Sequence, residues 1–222
     1  MWYFDHETPL RFQKEAMWQF DHQLALRFQK EAETNIPDYE RVIDMCLDIA
    51  KRKIHANETI VDVGSALGHT MSKFIHAGFL ETFGIESSQA MIDNSLFPDN
   101  VTLSDTWPQG WYTNFVMANW TLHFVNERKQ YIQNIYDSLE LDGIFILSDK
   151  TTQTEDIKQL YYDFKLSNGV SIEYIMEKEQ KLKGYMNLMP VDWYMDTLKE
   201  VGFKNIQIIN AKLGFVTFYA EK

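Results

Sequence analysis

The stretch that decides the fold is VDVGSALGHT, residues 61–70. Val61 and Val63 are typical of a buried strand. Gly64 permits a tight turn after that strand, and Gly68 opens the helix that follows. Because neither glycine has a Cβ atom, a ligand can approach the backbone here, and the N-terminus of the helix offers N–H groups to it. The stretch predicts a strand–turn–helix unit that binds a ligand; the alternative is the same unit with glycines that serve packing only.

An acidic residue lies where a ligand at this turn could reach it. Glu86 closes the next predicted strand, ETFGIES. A carboxylate about 20 residues past the glycines, at the tip of the second strand, can accept hydrogen bonds from ribose hydroxyls. The spacing from Gly64 to Gly68 is G-x-x-x-G, so the G-x-G-x-x-G pattern of dinucleotide sites is not present. This favours a nucleoside ligand without phosphates, such as S-adenosylmethionine.

Two later strand ends carry polar residues that fit the same site. Asp105 follows the third predicted strand, where a carboxylate can accept the adenine amino hydrogen. Asn119 ends the fourth strand, on the side of the ligand's amino-acid end. Either residue could also be an ordinary polar residue at a strand end, and Asp105 could cap a turn.

Strands and helices alternate along the first 150 residues. Helices are predicted over residues 38–53, 68–77 and 127–143, the last with Asp142-Gly143 as its stop signal. The strands between them and after them, five in number, are short and apolar. This alternation predicts a parallel sheet with helices on both faces.

The C-terminal part has a different pattern. A helix over 191–203 precedes two strands, 204–212 and 215–222, and the two-residue turn between them forces an antiparallel pair. The predicted fold is therefore α/β, with the Rossmann-like architecture of class I methyltransferases: a mostly parallel seven-stranded sheet with a C-terminal antiparallel hairpin. Residues 151–190 are predicted to form a helical cap over the carboxyl edge of the sheet.

Composition limits the class of protein. A net charge of −11 argues against nucleic-acid binding, because that affinity comes largely from Lys and Arg. No apolar run approaches the length of a membrane span, and no signal-peptide pattern is present at the N-terminus. The single cysteine, Cys46, lies in an apolar helical run and is predicted to be a core residue. We expect a cytoplasmic protein that binds a small molecule and contacts neither nucleic acid nor membrane.

With these residues in hand, the chain resembles the carboxy-S-adenosylmethionine synthase family of the class I methyltransferase superfamily. The likeness runs from about Phe20 to the C-terminus. It rests on five motifs: D-x-G-x-x-L-G (Asp62 to Gly68), S-x-A-M-I (Ser88 to Ile92), N-x-T-L-x-F (Asn119 to Phe124), L-S-x-K (Leu147 to Lys150) and D-F-K-x-x-N-G-x-S (Asp163 to Ser171). The last motif is outside the generic methyltransferase pattern and is the specific one.

The resemblance implies binding of S-adenosylmethionine, a homodimer, and transfer of a carboxyl group from prephenate onto the cofactor's methyl group, for use by a tRNA-modifying partner. One departure matters. The family places an arginine a few residues past its Asn-Gly motif, where it holds the new carboxylate, and the corresponding residue here is Glu179. A glutamate repels a carboxylate that an arginine would bind in a bidentate fork. Lys178, Lys181 or Lys183 could substitute if the helix shifts.

Three hypotheses for the function follow. The leading one is an S-adenosylmethionine-dependent methyltransferase that acts on a small molecule. The second is carboxy-S-adenosylmethionine synthase chemistry with an altered carboxylate clamp. The third is a non-catalytic module that binds S-adenosylmethionine or serves in assembly.

The residues and the resemblance together predict the members of the site. The cofactor-binding set is Tyr39, Asp62, Gly64, Ser65, Ala66, Gly68, Glu86, Ser87, Asp105, Thr106 and Asn119. The candidate catalytic residues are His123 and Tyr162, and the candidate substrate-binding residues are Tyr161, Lys165 and Lys178; no metal site is predicted. The alternative for His123 is a packed core histidine, and for the residues on the cap it is a solvated helix face.

The N-terminus is duplicated. Residues 1–16 and 17–32 agree at 12 of 16 positions. The resemblance covers only the second copy, which supplies Phe20-Asp21 and is followed by Tyr39. We therefore expect residues 17–222 to form a single domain, with 17–53 as helices that cover the cofactor. Residues 1–16 are a surplus extension, in which Thr8 and Pro9 suit a helix start.

Overall fold

A computed structural model describes residues 19–222, so the extension 1–16 with Thr8 and Pro9 lies outside the described residues. The helices are α1 His22–Ala25, α2 Phe28–Asn35, α3 Tyr39–Lys53, α4 His69–His76, α5 Gln89–Asp93, α6 Arg128–Ser138, α7 Glu155–Ser167, α8 Ile172–Leu182 and α9 Val191–Val201. The strands are β1 Ile60–Val63, β2 Thr82–Glu86, β3 Val101–Leu103, β4 Thr113–Asn119, β5 Leu139–Lys150, β6 Lys204–Lys212 and β7 Phe215–Glu221.

The strands form one seven-stranded sheet in the order β3-β2-β1-β4-β5-β7-β6. From β3 to β5 every neighbouring pair is parallel, whereas β7 is antiparallel to both β5 and β6. The predicted fold is confirmed: this is the Rossmann-like sheet of class I methyltransferases with its C-terminal hairpin. The carboxyl ends of β1, β2, β4 and β5 meet at one edge, where such sheets bind ligands.

Helices cover both faces of the sheet. On one face, α6 and α9 pack their apolar side chains, such as Ile132 and Leu198, against Val116 and Phe145. On the other face, α3 and α4 pack against Phe115 and neighbouring strand residues. Because both faces are buried, the central strands are apolar throughout, as their sequences predicted.

One predicted boundary is wrong. The helix predicted over 127–143 ends at Ser138, and β5 begins at Leu139. Leu139 is buried and pairs with Thr113 of β4, and the ladder resumes at Ile144, opposite Phe115. Between these points Asp142 has a positive φ of 63°, which marks an irregularity inside the strand. Pairing with β4 therefore overrides the helical spacing of the local sequence.

The segment between β5 and α9 covers the carboxyl edge of the sheet. Tyr161 of α7 and Ile175 of α8 pack against Phe215 at the start of β7. The Tyr161 hydroxyl donates a hydrogen bond to the Asn35 carbonyl, 2.9 Å away, which ties the cap to α2. No helix within residues 19–222 is both long and apolar enough to cross a membrane.

Candidate active site

A cavity of about 650 Å³ lies between the carboxyl edge of the sheet and the cap. Its volume is typical of a small-molecule site. It brings together most of the predicted site residues: Tyr39, Asp62, Gly64, Ser65, Ala66, Glu86, Ser87, Asn119, His123, Tyr161, Tyr162, Lys165 and Lys178. The second copy of the duplicated segment also contributes, through Phe20, Leu24 and Phe28.

The turn after β1 needs glycine for a packing reason as well. Gly64 has a φ of +72°, and a Cβ atom there would lie 2.0 Å from Thr121 Oγ1. Thr121 Oγ1 in turn donates a hydrogen bond to the Val63 carbonyl at 3.1 Å. Thr121 follows the end of β4, so its contact with Gly64 fixes the turn after β1. The Gly64 backbone, which has no Cβ atom, faces the cavity. This geometry is consistent with a Gly64 that serves packing only. It is equally consistent with a Gly64 that lets a ligand approach the backbone.

Glu86 holds the same turn in place. One carboxylate oxygen accepts the Ala66 N–H at 2.9 Å, and the other accepts the Ser88 N–H at 2.8 Å. Burial raises the pKa of Glu86, and these backbone hydrogen bonds oppose the rise. Because each carboxylate oxygen has two lone pairs, Glu86 keeps acceptor capacity for a ligand hydroxyl.

Polar atoms at the sheet edge fit a ligand that carries hydrogen-bond donors. In the described part of the chain, Ser65 Oγ and Asn119 Oδ1 are buried without a hydrogen-bond partner. An unpaired buried acceptor is costly, and a ligand amine or hydroxyl would satisfy it. Asp62 is buried beside them, and burial, together with the charge of Glu86, raises its pKa to about 8. The donor-rich nucleoside and cationic amino-acid end of S-adenosylmethionine fit this set of acceptors.

Three predicted cofactor-binding residues do not line the cavity. Gly68 caps α4 with a φ of +78° and faces Ser95. Asp105 and Thr106 are exposed after the short strand β3, where the Ser104 hydroxyl donates to the Thr106 carbonyl at 2.8 Å. Their role toward a cofactor stays a prediction.

The opposite end of the cavity is lined by lysines. The Nζ atoms of Lys150 and Lys165 lie 4.5 Å and 4.3 Å from the centroid of the same Tyr161 ring. Across residues 19–222, neither amine has a carboxylate within 4.0 Å. Burial, together with the nearby charge of Lys150, lowers the pKa of Lys165 to about 7. Burial also lowers the pKa of Lys150, to about 8.

Three other charged residues of the cap that line the cavity, Lys158, Lys178 and Glu179, form ion pairs. Glu179 accepts a hydrogen bond from the Tyr162 hydroxyl and forms an ion pair of 2.7 Å with Lys158. Burial opposes ionisation of Glu179, but the hydrogen bonds from Lys158 and Tyr162 lower its pKa. Lys178 forms an ion pair of 2.8 Å with Glu31 of α2. Glu179 is thus a carboxylate whose charge is compensated by an ion pair and a hydrogen bond.

His123 belongs to a buried polar network that ends at the cavity. Its Nδ1 lies 2.6 Å from Asp149 Oδ1, and the Tyr194 hydroxyl donates to Asp149 Oδ2 at 2.9 Å. Arg128 donates to the Tyr194 hydroxyl at 2.7 Å and to the Leu122 carbonyl at 2.6 Å. Since the carboxylate oxygen is the acceptor in this contact, His123 Nδ1 is the donor, which leaves Nε2 as the acceptor nitrogen.

The sequence predictions did not name four residues that line the cavity or belong to the His123 network: Lys150, Asp149, Arg128 and Tyr194. Asp149 and Lys150 end the fifth strand, so the same strand-end rule that identified Asn119 would have found them. Arg128 and Tyr194 had no local signal, because their contact joins two helices 66 residues apart in sequence.

Known proteins resemble this chain in sequence and in fold. Carboxy-S-adenosyl-L-methionine synthase of Nautilia profundicola is 29% identical over 85% of this chain and 87% of its own. The protein of the same name in Staphylococcus epidermidis is 27% identical over 86% of this chain and 90% of its own. A SAM-dependent methyltransferase from Aquifex aeolicus superposes with a TM-score of 0.60 at 12% identity, over 91% of this chain and 99% of its own. No family model matches. The predicted resemblance is confirmed, and the solved structure bears out the fold.

Proposed function

We propose that this chain is an S-adenosylmethionine-dependent transferase that adds a carboxyl group to the cofactor's methyl group, as a carboxy-S-adenosylmethionine synthase. The predicted cofactor and the predicted enzyme class, a transferase, are supported by the names of the relatives. The names of these relatives give less support to the leading hypothesis, methyl transfer to a small molecule, than to the synthase alternative.

One observation carries the proposal. A single cavity joins the acidic sheet edge at Asp62 and Glu86 to two lysine amines, Lys150 and Lys165, that lack carboxylate partners in the described chain. Carboxyl transfer to this cofactor requires a cationic molecule and an anionic molecule in one cavity. The Glu86 carboxylate favours the cationic molecule at the sheet edge, and the lysine amines favour the anionic molecule at the cap end.

Some residues of this chain would bind the cofactor, and others would shield the cavity from water. When bound, S-adenosylmethionine supplies the sulfonium methyl group that is carboxylated here and would be donated in a methyl transfer. Glu86 would accept ribose hydroxyls, and Asn119 Oδ1 would accept the donor of the amino-acid end. Tyr161 and the other cap residues exclude water from the cavity, which strengthens electrostatic interactions inside it.

The glutamate at the family's arginine position does not exclude this reaction. Lys158 and Tyr162 hold and neutralise Glu179, so its charge does not act alone on a bound carboxylate. The cationic character of this end comes from Lys150 and Lys165 instead.

Methyl transfer is the second candidate, and the His123–Asp149 pair favours it. A histidine whose Nδ1 is tied to a buried carboxylate can accept a proton at Nε2, which an acceptor molecule with an N–H or O–H group requires. In carboxyl transfer the same nitrogen would be available to any proton that leaves the reacting carbon.

Mass spectrometry of the reaction products separates the two. Purified protein is incubated with S-adenosylmethionine alone and with added prephenate, the donor that the resemblance implies. Carboxy-S-adenosylmethionine that depends on prephenate is the expected product. S-Adenosylhomocysteine formed with a candidate acceptor, and no carboxylated product, would favour methyl transfer. A protein that binds neither S-adenosylmethionine nor its homocysteine product in calorimetry would contradict both.

A further inference from the structure

The His123 network consists of Arg128, Tyr194, Asp149 and His123, joined in that order. Arg128 donates to the Tyr194 hydroxyl at 2.7 Å, and this hydroxyl donates to Asp149 Oδ2 at 2.9 Å. Asp149 Oδ1 lies 2.6 Å from His123 Nδ1. All four residues are buried, and of the four His123 lines the cavity. The network therefore leads from the protein interior to the cavity wall.

Arg128 sets the direction of these hydrogen bonds. A guanidinium group has donors and no acceptor, so the Tyr194 oxygen accepts from Arg128 and its one hydroxyl proton is left for Asp149. Burial and the charge of Asp149 raise the pKa of Tyr194, so the hydroxyl keeps this proton. The buried charge of Arg128 favours the carboxylate form of Asp149, and a carboxylate oxygen can only accept from His123 Nδ1.

Arg128 also fixes the backbone around His123. Its Nε donates to the Leu122 carbonyl at 2.6 Å, and a terminal nitrogen donates to the Asn187 carbonyl. The Asn187 N–H donates in turn to the His123 carbonyl at 2.8 Å. His123 is therefore held through its backbone and through Nδ1, whereas Nε2 has no hydrogen-bond partner among residues 19–222.

We infer that Arg128 and Tyr194 are positioning residues: they direct the hydrogen bonds of the network so that His123 presents an unprotonated Nε2 to the cavity. The five motifs of the resemblance assign no role here, because His123 and Asp149 occupy their open positions and Arg128 and Tyr194 lie outside them. The use of Nε2 as an acceptor rests on the proposed function. The direction of the hydrogen bonds is a property of the ligand-free protein and can be tested separately.

The test reads the His123 tautomer by nitrogen NMR of ligand-free protein that is isotopically labelled at histidine. At about pH 8, where free histidine is neutral, the nitrogen shifts distinguish a protonated from an unprotonated ring nitrogen. His123→Gln identifies the His123 signals among those of the six histidines. Wild type is expected to show a protonated Nδ1 and an unprotonated Nε2.

Asp149→Asn gives the sharpest expectation. If Tyr194 can only donate to residue 149, the asparagine oxygen must face Tyr194 and its NH₂ group must face His123. His123 Nδ1 then accepts, so the proton moves to Nε2 and the tautomer is inverted. A network without a fixed direction would let the asparagine turn its oxygen toward His123 and keep the wild-type tautomer.

Tyr194→Phe removes the hydroxyl that joins Arg128 to Asp149 and keeps the ring in the core. We expect the His123 signals to move toward the average of two exchanging tautomers. Turnover should fall by about tenfold, with the affinity for S-adenosylmethionine within about twofold of wild type. The matched control is Tyr136→Phe, which should change none of these, because Tyr136 packs against the same core and contacts Phe203.

The outcomes are distinct. A protonated Nε2 in wild type would overturn the inference, as would Asp149→Asn with the wild-type tautomer. Unchanged His123 signals in Tyr194→Phe would also count against it. The expected tautomers in a protein that binds neither S-adenosylmethionine nor S-adenosylhomocysteine would support the direction of the network and overturn the proposed function instead.

Discussion

The two ends of the cavity are built in different ways. At the sheet edge, backbone N–H groups of Ala66 and Ser88 hold Glu86, so the geometry of the strand ends fixes the polar groups. At the cap end, Lys150 and Lys165 lie against an aromatic ring without carboxylate partners in the described chain. The first end is fixed by the fold before any ligand binds. The second is a set of charges that only a ligand can compensate, so substrate choice can change there while the cofactor end stays constant.

The largest effect should come from breaking the rigid end. Gly64→Ala places a Cβ atom 2.0 Å from Thr121 Oγ1 in a backbone with φ +72°, and we expect it to destabilise the protein by about 2–4 kcal/mol. Urea unfolding measures the loss. The control is Gly78→Ala, because Gly78 has φ +99° but open space around its Cβ position, so only the backbone term of about 1 kcal/mol applies. Similar losses in both variants would show that the contact with Thr121 is unimportant.

A smaller effect is expected from Glu86→Gln. Both carboxylate oxygens accept backbone N–H groups, so a glutamine must turn its own donor toward one of them. The turn at Ala66 then loses its anchor, and the affinity for S-adenosylmethionine should fall by about tenfold to a hundredfold. Calorimetry measures this, with Glu81→Gln as the control, since Glu81 is exposed and directly precedes the same strand. A Glu86→Gln affinity within about twofold of wild type would refute the role of Glu86.

The pH dependence of binding should have opposite signs at the two ends. Burial raises the pKa of Asp62 to about 8, so Asp62 is protonated at neutral pH and ionises as the pH rises. Affinity for the cationic S-adenosylmethionine should therefore increase between about pH 6 and 8. Burial lowers the pKa of Lys165 to about 7, so this amine loses its proton over the same range and prephenate affinity should decrease. The charged groups that act on Lys165 are Lys150, Lys178, Glu179 and Glu31.

Calorimetry at several pH values checks both trends. Asp62→Asn should flatten only the S-adenosylmethionine curve, and Lys165→Met only the prephenate curve. Two curves that change in the same direction, or that respond to both substitutions, would mean that the two ends are not electrostatically separate.

The difference between the sheet-edge end and the cap end of the cavity explains which site residues the sequence could predict. Gly64, Glu86 and Asn119 follow from local rules, because each lies at or directly after the end of a strand and parallel strands bring their carboxyl ends together. Lys165 was predicted as a candidate substrate-binding residue on the capping helix, but nothing local indicated that its amine lies with that of Lys150 at one aromatic ring. The Arg128–Tyr194 contact depends on how α6 packs against α9, which no local pattern specifies. Similarly, strand pairing at Leu139 overrode the helical spacing around it.

The smallest effect should come from removing the first copy of the duplicated segment. Phe20, Leu24 and Phe28 of the second copy line the cavity, and Asp21 caps α1 by accepting the Leu24 N–H at 2.8 Å. A chain that starts at Met17 keeps all of these contacts, so its affinity for S-adenosylmethionine should equal that of the full chain. A chain that starts at Phe28 loses α1 and its apolar contacts and should bind more weakly. If the Met17 chain loses the ligand instead, residues 1–16 take part in the site, and the sheet edge is not fixed by the fold alone.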